Sequence, residues 1–383
     1  MPALTHNGCL DRQNRFRTGL AERNIDAAVL MGCRDVYYFT GKLLPDTFPV
    51  FMLLETDGGC WVVSHTDDGS SCVDDWIPYE WHQLDTLNFD LMNQLGEVVK
   101  RKLQDTAPVR RLGVQYESVS GLLQQTIESA LQPSESVPLD ETLSEVQRYK
   151  HPDELEMLRW SVEVNLASYD AAQAILRAGV NELEVLAESQ RGAMLKAGER
   201  VFHDGDYQCG ERHGPARDRQ IEQGELYILD GHTCCRGYWS DLARTFIVDS
   251  EPTDLQHSIF DHIAAVQASV PSLLMPGARG TEIWRALDEQ IREHPALADT
   301  GLVHHAGHGI GIRMHEPPDL NRDREGILRV GDVVCVEPGG YTPEARLGAR
   351  IENTYLITES GAENLSQYPV NIVPTGLPSG NDN

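Results

Sequence analysis

The run Leu229–Phe246, LDGHTCCRGYWSDLARTF, sets one His and two adjacent Cys between two aspartates, Asp230 and Asp241. Two chemistries compete for it. A thiolate–imidazole zinc site would use His232, Cys234 and Cys235, whereas a carboxylate site would use the two Asp. The flanking runs ELYILD and LARTFIV have strand character. They predict a hairpin with its middle at Cys235–Arg236 and Asp230 directly opposite Asp241. Opposed like charges destabilise a hairpin unless solvent or a cation separates them. Adjacent Cys side chains in a strand point to opposite faces and cannot converge on one ion. The expectation is therefore that Asp230 and Asp241 hold metal and that His232, Cys234 and Cys235 do not.

A second stretch, VVCVEPGGYTPEARLGARIENTYLIT, repeats the arrangement: a β-rich run ending at Glu337, a Gly/Pro-rich loop, and a run carrying Glu352. Two such pairs weaken the reading of each carboxylate as a solvated edge residue. Between the hairpins lies HHAGHGIGIRMHEPP, with His304, His305, His308 and His315. The glycines beside His308 let the backbone approach a bound group closely. Carboxylates with one imidazole suit Mn, Co, Zn or Fe, not a closed thiolate zinc site.

These residues need a scaffold to bring them together. In the first part of the chain, DRQNRFRTGLAERNI has helical spacing, AAVLMG reads as a short buried strand, and VFMLLE and CWVVS form a hairpin through Thr56–Gly59. RLGVQY followed by GLLQQTIESALQ adds a strand and a helix, which predicts a layered α/β domain. Pro152 and three acidic residues open a long helix that Gly179 ends, so a domain boundary is expected near residue 150. Farther on, AILRAGVNELEVLAE and SLLMPGARGTEIWRALDE share a helix–Gly–helix grammar, which fits a domain of two similar halves.

A length of 383 residues suits two domains, and the net charge of −27 argues against nucleic-acid binding, which needs clustered positive charge. Lysine occurs only at Lys42, Lys100, Lys102, Lys150 and Lys196. Two explanations of this acidic, Lys-poor composition stand: a saline habitat, or a genome biased to Arg. No apolar run approaches the roughly 20 residues that span a bilayer, and the start, MPALTHNGCLDRQNR, has no apolar signal core. Eight scattered Cys suit a reducing cytoplasm.

DGHTCCRGYWSD, GHGIGIRMHEPP, VEPGGY and RIENT, in this order, resemble the pita-bread metallopeptidases: methionine aminopeptidase, aminopeptidase P, prolidase and creatinase. DVYYFTG is similar to a strand end in the creatinase-type N-terminal domain, which favours the aminopeptidase P and prolidase branch. The resemblance implies an α/β (α+β) architecture: a creatinase-like domain over 1–149, a pita-bread catalytic domain with an internal pseudo-twofold repeat over 150–375, and a tail over 376–383. It implies two divalent metals, Mn with Co or Zn as alternatives, on Asp230, Asp241, His308, Glu337 and Glu352. Asp241 and Glu352 would bridge, with Asp230 completing one site and His308 and Glu337 the other. Glu337 would also be the general base, and His304, His315 and Arg350 would line the substrate side. His213 matches a substrate-binding His, although CGERH is shorter than the family's approach to it. The implied activity is cleavage before proline in dipeptides or short peptides by a cytoplasmic homodimer that pairs through its N-terminal domain. Two rivals remain: a non-peptide amide or amidine hydrolase of the creatinase or ectoine hydrolase kind, and a catalytically dead interaction module.

Overall fold

In the computed structural model, residues 1–210, 214–342 and 347–375 are described. The chain forms two compact units: Pro2–Gln147 with His151–Asp153, and Met1 and Arg148–Lys150 with the chain from Glu154 onward.

The first unit is a mixed sheet with helices. Its strands are β1 (Ala27–Leu30), β2 (Phe51–Glu55), β3 (Cys60–Ser64) and β4 (Asp75–Pro78), then a minor hairpin β5 (His82–Gln83) and β6 (Thr86–Leu87), then β7 (Arg111–Val114) and β8 (Glu135–Pro138). The main sheet runs β4-β3-β2-β1-β7-β8. The helices are α1 (His6–Glu22), α2 (Cys33–Thr40), α3 (Leu91–Leu103), α4 (Gly121–Leu131) and α5 (Asp140–Arg148). Leu95, Val99, Leu123 and Ile127 of α3 and α4 bury against Val29, Leu53, Val63 and Leu112 of the sheet. The β2–β3 hairpin pairs Leu54 with Cys60, as its Gly-rich turn predicts. DVYYFTG, however, is not a strand end. It lies in α2, closed by Gly41 in the left-handed conformation (φ 69°). Its aromatics favour strands in isolation, but here Phe39 packs on Phe16 of α1 at 4.9 Å, and that packing outweighs the propensity.

The second unit consists of two similar halves. One has α6 (Pro152–Ile175), α7 (Glu182–Ala197) and the sheet of β9 (Phe202–Cys209), β10 (Leu226–Cys235) and β11 (Tyr238–Ile247). The other has α8 (Asp254–Ser269), α9 (Gly280–Arg292) and a sheet in the order β13 (Glu316–Leu320), β12 (Gly307–Gly309), β14 (Val333–Val336), β17 (Asn353–Thr358), β18 (Gly361–Asn364). A two-stranded ribbon, β15 (Gly339–Thr342) and β16 (Leu347–Arg350), joins β14 to β17. Helices α6 and α7 bury Tyr169, Ala172 and Val185 against β9–β11, while α8 and α9 bury Ile259, Ile263, Ile283 and Leu287 with Val334 and Val336. The entry to the second helix matches in each half. Gly179 donates its N–H to Ile221 O at 2.9 Å, and Gly277 donates to Leu328 O at 2.8 Å. Asn181 then bridges Gln220 as Arg279 bridges Ile327. Asn181 also caps α7 with a full capping box. Gly179 does not itself end α6, which stops at Ile175; the glycine sits in the turn beyond, with φ 85°.

Candidate metal centre

The first carboxylate pair rides on β10 and β11. These strands meet at a two-residue turn, Arg236–Gly237, with φ of 48° and 86°, the positive-φ pattern that matches hairpin twist. The turn lies one residue beyond the sequence expectation. The register therefore sets Asp230 opposite Ala243, and His232 opposite Asp241. The two carboxylates still share a face, because residues two apart along a strand point the same way. They lie diagonally, and His232 stands between them, with Nε2 3.4 Å from Asp230 Oδ1 and 3.4 Å from Asp241 Oδ1. His232, which the sequence reading set aside, is thus placed by the register between the two carboxylates. Cys235 packs instead with Val164, Ala193 and Val201.

The second pair is built differently. Val336 pairs with Asn353 in the large sheet, and Gly339 pairs with Arg350 in the ribbon, so Glu337 and Glu352 occupy matched positions at the break between the two ladders. Hydrogen bonds involving the backbone tie the two hairpins together. Glu352 N–H donates to Ala243 O (3.0 Å), Thr354 Oγ1 to Asp241 O (2.9 Å), and Arg350 N–H to Thr245 Oγ1 (2.9 Å).

His308 comes from the short strand β12, where Gly307 is needed. A Cβ there would stand 1.9 Å from Cys335 O, and its φ is 154°. His308 lies opposite Cys335, and its Nε2 is 3.6 Å from Asp241 Oδ2. Asp241, His308, Cys335 and Glu352 each offer a ligand atom within 4.8 Å of the others, as do Asp230, His232 and Asp241. Four of the five expected ligands thus fall into two groups that share Asp241. The fifth, Glu337, approaches His305 Nδ1 at 3.2 Å and Arg350 Nε at 3.8 Å.

Three observations fit a cation at this place. The four carboxylates and His308 are each no more than 6% exposed. A buried carboxylate is paired, bound to metal or neutralised by a proton. Asp230 Oδ1, Asp241 Oδ1 and Glu352 Oε1 are buried without a hydrogen-bond partner. The charges also push on one another. Burial, then Asp241 and Asp230, holds Glu352 well above the usual carboxylate range, and burial brings Glu337 up to about 7. Burial opposes a charged His232, but Asp241 and Asp230 raise it to about 10; His308 is raised in the same way by Asp241.

Arg350 comes from β16. It is buried, donates from Nη1 to Asp230 Oδ2 and to Asp206 Oδ2 (3.2 Å), and from Nε to Tyr341 OH (3.0 Å). Against the burial that would raise Asp230, the guanidinium holds its carboxyl below the ordinary range. His315 stacks edge-on against His308 at 4.0 Å, and burial, then His308, lowers its pKa to about 4. His304 bonds Tyr341 OH at 3.0 Å. Its neighbour His305, which sequence reasoning left without a role, lies between Glu337, His308 and His315. A cleft of about 280 Å³ is lined by His305, His308, His315, Asp319, Asn321 and Arg324. Cys335 was also missed, although strand alternation puts it on the face of Glu337, two residues on. His213 lies outside the described residues.

The family model of metallopeptidase family M24 matches residues 156–359, and that of the creatinase/prolidase N-terminal domain matches residues 12–148. The chain belongs to metallopeptidase family M24. As a member of that family it is a metallopeptidase, and the converging carboxylates are its candidate metal ligands. It is 27% identical over 365 residues to an Xaa-Pro dipeptidase of Pyrococcus furiosus, covering 93% of this metallopeptidase and 98% of that protein. It is 24% identical over 391 residues to a creatinase of a Bacillus species, covering 96% and 92%. The fold matches a prolidase of Pyrococcus horikoshii with a TM-score of 0.78 at 22% identity, covering 95% of this chain and all of that one. It also matches an Xaa-Pro dipeptidase of Bacillus anthracis with a TM-score of 0.80 at 21% identity, covering 95% and 99%. Among the described residues, no helix is long and apolar enough to cross a membrane.

Proposed function

We propose that this metallopeptidase hydrolyses the bond before proline in dipeptides or short peptides, using two divalent ions, Mn with Co or Zn as alternatives. The observation that carries the reading is the convergence of Asp230, Asp241, His308 and Glu352 with three unpartnered buried carboxylate oxygens. The names of its relatives, Xaa-Pro dipeptidases among them, support the substrate class.

Asp230, Asp241, His308, Glu337 and Glu352 would hold the ions. Divalent ions bound here supply a water acidic enough to attack a peptide carbonyl near neutral pH. Glu337 takes the proton from the nucleophile and delivers it to the leaving proline nitrogen. His315, held neutral by burial beside His308, and His305 or His304 donate to the carbonyl oxygen as negative charge develops there. Arg350 keeps Asp230 ionised and oriented.

The test is hydrolysis of Ala-Pro, a longer Xaa-Pro peptide, a Met-Ala peptide, creatine and an ectoine derivative, each with and without Mn. Chelation is expected to abolish cleavage of the proline substrates, and Mn or Co to restore it. No cleavage of either proline substrate with metal present would end this reading. Full activity in a metal-free preparation would favour the metal-independent chemistry for which the similarity to a creatinase makes room.

A further inference from the structure

We propose that His232 is itself a metal ligand, the imidazole counterpart of Glu337, so that each half of the catalytic unit contributes one imidazole to Asp241. The inference rests on the metal-centre reading and adds a donor outside the ligand set implied by the sequence resemblance.

The first argument is register. Gly205 of β9 and Gly307 of β12 mark the same point in the two halves. A Cβ on Gly205 would stand 1.9 Å from Asp230 O, just as one on Gly307 would stand 1.9 Å from Cys335 O. Gly205 pairs with Gly231, and Gly307 with Val336. One residue on, His232 lies opposite Asp241, and Glu337 occupies the position matched to Glu352. His232 thus holds in the first half the place that Glu337 holds in the second, on the same side of its sheet as the carboxylate it faces.

The second argument is distance. Donor atoms around one ion bonded at about 2.0–2.2 Å lie about 3–3.6 Å apart. His232 Nε2 is 3.4 Å from each of its two carboxylates, closer than the 3.6 Å between His308 Nε2 and Asp241 Oδ2. Asp241 presents Oδ1 to His232 and Oδ2 to His308, one oxygen to each imidazole. The oxygens facing His232, Asp230 Oδ1 and Asp241 Oδ1, are the ones left without hydrogen bonds. Three donors within 4.8 Å of one another, with both oxygens unpartnered, form a binding corner. An imidazole in that corner favours Co and Zn over Mn relative to an all-oxygen corner, because nitrogen donors suit the former ions.

The experiment uses the full chain, stripped with a chelator and titrated separately with Mn(II), Co(II) and Zn(II). Affinities are read by competition with a chromophoric chelator, equivalents by elemental analysis, and the Co(II) site by its visible absorption. In His232→Ala, the weaker-bound equivalent should lose at least about tenfold in affinity, the scale seen even for groups that only support a ligand, with Co and Zn losing more than Mn. The visible Co(II) spectrum should change in the same variant. His232→Glu should retain both equivalents while its Co-to-Mn and Zn-to-Mn preferences fall; this guards against a simple folding defect, which circular dichroism also checks. Unchanged affinities and an unchanged Co(II) spectrum in both variants would overturn the assignment. If the unmodified chain takes up no metal, or if Asp241→Asn keeps both equivalents, the metal-centre reading itself fails. That outcome is distinct from a failure at His232 alone.

Discussion

The two carboxylate hairpins reach the same end by different means. In β10–β11 the ladder is unbroken from Leu226–Ile247 to Cys235–Tyr238, and the two Asp are offset diagonally with His232 between them. In the second hairpin the two Glu hold matched positions, and there the ladder breaks into a sheet and a ribbon. Like charges placed directly opposite each other on a strand pair repel, and the offset in one hairpin and the break in the other both relieve that repulsion. Two acidic residues separated by a turn therefore do not fix a geometry. The register does, and the turn sets the register.

If the halves are functionally equivalent, breaking either shared carboxylate should be equally severe. Asp241→Asn and Glu352→Gln are each expected to lose metal and to lower turnover by roughly a thousandfold or more, about 4 kcal/mol. Elemental analysis and single-turnover assays would check this, and a variant that kept both metals would show that the hairpins are not partners. A smaller effect is expected from His315, which sits against His308 on the cleft side. His315→Ala should reduce kcat by about a hundredfold with metal content near that of the unmodified chain; loss of a metal equivalent would make it a ligand.

A weaker test concerns what holds the first hairpin in place. His203, on β9, bonds Thr233 of β10 at 2.7 Å and Ser189 at 3.0 Å; burial and the nearby His232 lower its pKa from 6.5 to about 3. The folded state therefore resists protonating it, while the unfolded chain does not. Its contribution is fully present above about pH 6.5 and is eroded as pH falls toward about 3. Urea midpoints of the unmodified chain should accordingly fall more between about pH 7.5 and about pH 5 than those of His203→Gln. Equal slopes would show that His203 is not buried as a neutral group.

The smallest effect is expected from the filling of the hairpin. A Cys234→Ser, Cys235→Ser double variant should keep both metals and most activity, with stability reduced by about 1 kcal/mol because Cys235 packs among apolar side chains. Metal depletion in that variant would return the thiols to the site.

Much of this protein was legible in the chain itself. The β2–β3 hairpin and the matched turns at Gly179 and Gly277 follow from local rules, since turn glycines act over three or four residues. The acidic pairs and the His308 motif were legible as chemistry because few other sequence patterns carry so many potential ligands. The limits of local reading are equally specific. DVYYFTG has aromatic strand propensity, yet packing of Phe39 on Phe16 makes it helical. The one-residue position of the Arg236–Gly237 turn decided that His232, and not Asp230, faces Asp241. Bonds between residues more than a hundred positions apart, from Thr354 to Asp241 and from Arg350 to Asp230, bring the hairpins together. The sequence named which residues could bind metal, because ligand chemistry belongs to the side chain alone. Only the tertiary structure chose among them, because convergence within a few ångströms depends on register and on contacts that no local pattern encodes.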